Sequence, residues 1–140
     1  MKLIISQGEI MKHVSYKEVP LESVNVEGAK GANIRWLVGA KDGAPNFAMR
    51  MFEIEIGGNT PYHVHSFEHE VFVLAGAGIL KTQYGEKPMN VWDAIFVDPN
   101  IEHQFINVGD EPMIFLCSVP LEDKPAPKRN PFGGGKANNC

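Results

Sequence analysis

Four of the five histidines in this 140-residue chain, His63, His65, His69 and His103, are of a type and spacing that suit metal ligation. His63 and His65 stand two apart, so on an extended strand both project to one face and form a ready chelate. The break Ser66-Phe67-Glu68 lets the chain turn before His69, which then shares a strand face with Val71 and Val73. Glu70, Phe72 and Leu74 take the opposite face. His103 follows Asp98-Pro99-Asn100 at the start of another apolar run. Any one of these imidazoles alone is more often a packed or surface residue; their joint pattern points to an ion. His13 has no partner in spacing and reads as structural or exposed.

The elements that must position these side chains are strands. Candidates are Ala32 to Gly39, Asn46 to Ile56, Glu70 to Leu74, Gly78 to Gln83, Asn90 to Val97, His103 to Val108 and Met113 to Val119. In Asn46 to Ile56, Phe47, Met49 and Met51 alternate with Phe52, Ile54 and Ile56. Turns separate them at Lys41 to Pro45, Gly57 to Asn59, Gly76 to Gly78, Gly85 to Pro88, Asp98 to Asn100 and Gly109 to Pro112. Short strands with regular turns are the pattern of a sandwich or barrel, so the chain reads as all-β. Met11 to Val19 is a further strand candidate, able to pair with the barrel or a second subunit, and Val19 to Val24 is a short connector. One domain is expected: an N-terminal strand or arm (1–18), a barrel (19–122) and a Pro/Gly-rich tail (123–140).

Composition narrows the function classes. The hydrophobic fraction is 44% and the formal net charge −4, which gives a core but no basic field for a phosphate backbone, so no nucleic-acid partner is expected. The apolar runs fall far short of the ~20 residues that span a bilayer, and Leu3-Ile4-Ile5 is too short for a secretory leader. Cys117 and Cys140 form no local pair, so reduced thiols and a cytoplasmic setting are expected.

The stretch from Gly58 through His63, His65 and His69 to Gly76 resembles the first motif of the cupins, with His69 at the position usually held by glutamate. Asp93 to Asn107, with Pro99, His103 and Asn107, resembles the second motif, departing at Ile101 where glycine is usual. The runs Asp42 to Phe52, Glu68 to Leu74 and Phe115 to Cys117 resemble small single-domain cupins with four histidine ligands, typified by a manganese-binding protein of a bacterial thermophile.

That resemblance implies a double-stranded β-helix (jelly-roll) barrel holding one divalent transition metal, manganese first and Fe, Zn, Ni or Cu as alternatives, through His63, His65, His69 and His103. It implies a metalloenzyme of oxygenase or oxidoreductase type whose small organic substrate chelates the metal. Non-redox Lewis-acid isomerase or lyase chemistry, with Tyr62, Tyr84 or Glu70 as proton carriers, is the alternative, followed by small-molecule binding without turnover. Cavity candidates are Phe105, Phe115, Cys117, Arg50 and Tyr62. Arg50 can recognise a substrate carboxylate if its face is inward, a point its shared parity with Phe52 and Ile54 leaves open. A homodimer is expected, because open sheets expose edges that a second copy can cover.

Overall fold

The computed structural model describes residues 11–121. Among these there is no α-helix, and no helix long and apolar enough to cross a membrane. Nine strands are formed: β1 (Glu22–Ser23), β2 (Lys30–Val38), β3 (Phe47–Asn59), β4 (His69–Ala75), β5 (Gly78–Thr82), β6 (Gly85–Met89), β7 (Ala94–Val97), β8 (His103–Asn107) and β9 (Met113–Pro120). Their order is β6-β5-β8-β3-β9-β4-β7, with β2 also on β3 and β1 on β2. Every pairing is antiparallel.

Strand β3 holds the sheet together because it is long enough to serve two neighbourhoods. Its first part pairs with β9 from Phe47↔Pro120 to Ile54↔Met113, and its last residue, Asn59, pairs with Ile106 of β8. The sheet therefore curls, and its concave face becomes the core. Alternation decides which side chains enter. Met113, Phe115, Cys117 and Val119 of β9 are all buried, as are His69, Val71 and Val73 of β4. Phe52 stacks on Phe115 at 5.2 Å, and Phe105 meets Phe115 at 4.9 Å.

Two glycines of the first motif are required by this curl. A Cβ on Gly58 would sit 2.5 Å from the Lys30 carbonyl oxygen, where β2 crosses β3. Gly76 has φ +84, and a Cβ there would meet Met113 Cα and the Pro112 carbonyl oxygen at 2.8 Å.

Five expected elements differ. Gly57 to Asn59 is not a turn but the end of β3, and the connector Val19 to Val24 contains β1. Met11 to Val19 is not a strand: it is irregular chain with a single 3₁₀ turn at Tyr16–Glu18, capped by Ser15. Gly85 to Pro88 is not a turn but most of β6, and the reversal lies at Gln83 and Tyr84. Asn90 to Val97 becomes strand only from Ala94, because Trp92 takes the left-handed conformation at φ 75 within a turn. The tail expected at 123–140 lies outside the described residues, as does the arm up to residue 10.

Candidate metal centre

His63 and His65 are not on a strand. Residues 60–68 run as an irregular loop strapped to β8, and the straps do what a pleat was expected to do. The His63 N–H donates to the His103 carbonyl at 3.1 Å, and the His103 N–H returns the bond at 3.0 Å. Farther along, the Asn100 N–H donates to the His65 carbonyl at 2.8 Å. Thr60 anchors the start of the loop by donating its N–H to the Phe105 carbonyl and accepting the Phe105 N–H on its hydroxyl, both at 2.9 Å. His69 and His103 each open a strand, β4 and β8, and both are buried.

The four rings converge. Nε2 of His65 lies 3.3 Å from Nε2 of His63 and 3.3 Å from Nε2 of His69. The His103 ring centroid is 4.9, 5.0 and 4.8 Å from those of His63, His65 and His69. His63, His65 and His103 offer ring nitrogens within 4.8 Å of one another, which places three histidines to bind a metal ion. His103 Nδ1 donates to the Ile101 carbonyl at 2.8 Å, so its Nε2 keeps a lone pair, yet that atom is buried without a hydrogen-bond partner. Such an orphan costs about 1–3 kcal/mol unless something satisfies it. Two imidazole nitrogens bound to one ion at about 2.1 Å stand roughly 3.0–3.4 Å apart, so the residues fit a metal.

The electrostatics agree with donors kept neutral. Burial first, then His65, His103 and Arg50, lowers His63 to about 4; burial, His103 and Arg50 lead in lowering His69 to about 2. His103 is also lowered, chiefly by burial. Their lone pairs are therefore free of protons near neutrality.

Arg50 answers the question its parity left open: it points inward. It faces Trp36 across β2–β3 and Cys117 across β3–β9. Its Nη2 is 3.4 Å from His69 Nδ1 and donates to Cys117 Sγ at 3.1 Å, while that sulfur is 3.2 Å from His69 Nδ1. Burial raises the Cys117 thiol, opposed by Arg50. Phe105 packs 5.8 Å from His103, and Phe115 lies behind it in the core. Asn107 shares the face of His103, but its amide is spent on backbone carbonyls.

Tyr62 is a correction. It is 42% exposed on the outside, bonded to Glu102 and covered by Lys81, because the irregular loop turns it away from the barrel. Tyr84 is 81% exposed on the β5–β6 turn. Glu70 faces outward and is raised to about 7, by burial first and then by its hydrogen bond with Glu68. None of these three reaches the cluster as a proton carrier.

Two residues were missed. Phe67 stacks on His65, with centroids 4.1 Å apart and an interplanar angle of 5°, although its segment read as a polar break. Trp36 stands opposite Arg50, a placement foreshadowed by its parity with Ala32 and Ile34. With Arg50 they line a cavity of about 1000 Å³ that also touches Ala48, Val119 and Leu121. Phe67 and Arg50 belong both to this cavity and to the histidine cluster.

A cupin domain profile matches residues 50–119, half of the chain, the segment that runs from within β3 almost to the end of β9 and carries all four clustered histidines. This chain is a cupin. Its fold is similar to that of the polyketide cyclase RemF from Streptomyces resistomycificus, with 34% identity, a TM-score of 0.77 and 83% of each chain covered. The cupin is also 39% identical over 67 residues to the glucose-6-phosphate isomerase of Pyrococcus abyssi, covering 44% of this chain and 35% of that protein. It is 32% identical over 78 residues to the 1-methylthio-D-xylulose 5-phosphate methylsulfurylase of Rhodospirillum rubrum, covering 55% of this chain and 50% of the relative. The chain thus spans half or less of the length of these curated relatives.

Proposed function

We propose that this cupin is a metal-dependent enzyme that rearranges or cyclises a small carbonyl compound without net redox change, holding one divalent transition metal through His63, His65, His69 and His103. The observation that carries the reading is the convergence of Nε2 atoms at a wall shared with the cavity of about 1000 Å³. When bound, the metal supplies a Lewis acid that polarises a carbonyl oxygen. The chain supplies the rest. Phe67 covers one face of His65, and Trp36, Ala48, Val119 and Leu121 give the chamber an apolar wall.

Similarity to a polyketide cyclase over most of both chains supports a non-redox reaction, as does the shorter match to an isomerase. The oxygenase expected from sequence becomes the alternative. A substrate with two carbonyls flanking one carbon suits the inventory of residues, because Tyr62, Tyr84 and Glu70 stand outside the cavity. The C–H between two carbonyls is acidic enough for solvent base once one oxygen is polarised. Manganese is the first ion proposed, on subgroup resemblance alone, since iron, zinc, nickel and copper accept the same donors.

The test loads tag-free protein with manganese or zinc and incubates it with 1,3-dicarbonyl compounds under strict anaerobiosis, with product read by mass spectrometry. Turnover by both forms, absent in His69→Ala, is the expected result. Turnover that needs O₂ restores the oxygenase reading, and tight binding without product favours a binding role.

A cytoplasmic homodimer is also proposed. Its motive is no longer an N-terminal strand but the outer-face side chains Phe72, Phe96 and Trp92, which remain exposed. A concentration-independent monomer in sedimentation removes the dimer.

A further inference from the structure

The inner end of the cavity carries a cation with no anion of its own. Arg50 is part-buried, yet the salt bridges among the described residues are Lys12–Asp42 and Arg35–Glu53, and neither involves it. What surrounds its guanidinium is soft or neutral: the sulfur of Cys117, an imidazole nitrogen of His69, and the rings of Trp36 at 5.6 Å and Phe52 at 5.0 Å. Its Nε is buried without a hydrogen-bond partner. A buried charge is normally paired, because desolvation otherwise goes uncompensated. In the lining of the same cavity, Lys12 and Asp42 neutralise each other at 2.8 Å. Glu18 and Glu22 also line the cavity, but neither forms an ion pair with Arg50, so the guanidinium beside His69 has no carboxylate in contact.

The walls beside it say what else the ligand carries. Trp36 and Phe67 are aromatic, and Ala48 and Val119, paired across β3 and β9, are small side chains that leave room above the sheet. We propose that this cavity takes a flat, largely apolar molecule bearing one carboxylate, with the carboxylate on Arg50 and the ring system between Trp36 and Phe67. The inference rests on the reading of the cavity as the substrate chamber and names the class of substrate that fits it. Arginine suits the task because its planar fork matches a carboxylate bidentately and its face tolerates an aromatic neighbour.

The experiment measures binding of 2-naphthoate and of neutral 2-naphthamide by calorimetry, to metal-free and zinc-loaded protein, in wild type, Arg50→Gln and Arg50→Lys. Wild type is expected to bind naphthoate well above naphthamide in both forms. Arg50→Gln should weaken naphthoate by about 30-fold or more while leaving naphthamide unchanged, with Arg50→Lys between. Equal affinity for the two probes in wild type overturns the proposal, even if Arg50→Gln fails to fold. So does naphthoate binding that vanishes on zinc removal but survives Arg50→Gln, since the anion would then sit on the metal. Arg50-dependent binding in a protein without dicarbonyl turnover keeps this inference and removes the proposed reaction; turnover with Arg50-independent binding does the reverse.

Discussion

The sulfur of Cys117 lies 3.2 Å from Nδ1 of His69, and the donors nearby give that contact a direction. Arg50 also reaches Nδ1, at 3.4 Å, but a guanidinium only donates. His69 Nε2 is the nitrogen turned toward His65, so when Nε2 gives its lone pair to an ion, Nδ1 must carry the proton. The sulfur then accepts it, while also accepting from Arg50 at 3.1 Å. Partners of this kind typically contribute about 10–100-fold to metal affinity. Cys117→Ala is expected to lose about that much in zinc affinity by chelator competition, and Cys117→Ser, whose hydroxyl also accepts, far less. Equal affinities in wild type and Cys117→Ala would show that the sulfur does not orient His69.

The ligands themselves should be more costly to remove. Alanine at His63, His65, His69 or His103 is expected to lower zinc affinity beyond the roughly 100-fold upper end for outer partners. His13, exposed and apart from the cluster, serves as the control. Elemental analysis at fixed free zinc reads both. Full occupancy in His69→Ala would reduce the site to the three histidines whose nitrogens lie within 4.8 Å.

Much of this was legible in the sequence because strand periodicity is local. Met113 to Val119 was expected to be a strand, and in the structure Met113, Phe115, Cys117 and Val119 form its buried face. Convergence of the histidines was legible too, but for another reason than the one given: backbone bonds to His103 place His63, and no pleat is involved. The inward face of β3 was hidden because Met51, on its outer side, is as buried as Phe52 on the inner. Strand β6 was hidden because Gly85 and Pro88 signal turns. It lies at the end of the sheet order, where a proline without N–H sacrifices no ladder bond on its free side. Trp36 and Phe67 acquire their role only once β2, β3 and the histidine loop meet.

Acid should destabilise the metal-free protein in a defined window. His63 is held at about 4 and His69 at about 2, whereas both titrate near 6.5 once unfolded. Between those values the unfolded chain binds more protons than the native one, so stability rises with pH and falls as pH drops. The urea midpoint is expected to be level above pH 7 and to decline from about 6.5 toward 4. His69→Ala should flatten the decline. A wild-type profile level down to pH 4 contradicts the assignment.

The buried Asn107 makes the most specific stability prediction. Its side-chain amide donates toward the carbonyls of Ile54 at 2.9 Å, Glu55 at 3.1 Å and Glu111 at 2.9 Å, and its oxygen accepts the Gly109 N–H at 2.9 Å. One side chain thus ties the far part of β3 to the turn between β8 and β9, at 3% exposure. Alanine there strands several backbone groups in a site too enclosed for easy hydration, at a cost on the order of 3 kcal/mol. Aspartate is expected to be worse, because it brings a charge and no donor to three carbonyl oxygens. Urea unfolding should show a lower midpoint with an unchanged slope, which separates lost stability from a changed denatured state. Zinc affinity in Asn107→Ala should stay near wild type, since the Thr60, His63 and Ile101 bonds that position the histidines do not pass through this amide. A large loss of zinc affinity with stability intact would mean that Asn107 supports the metal centre rather than the fold.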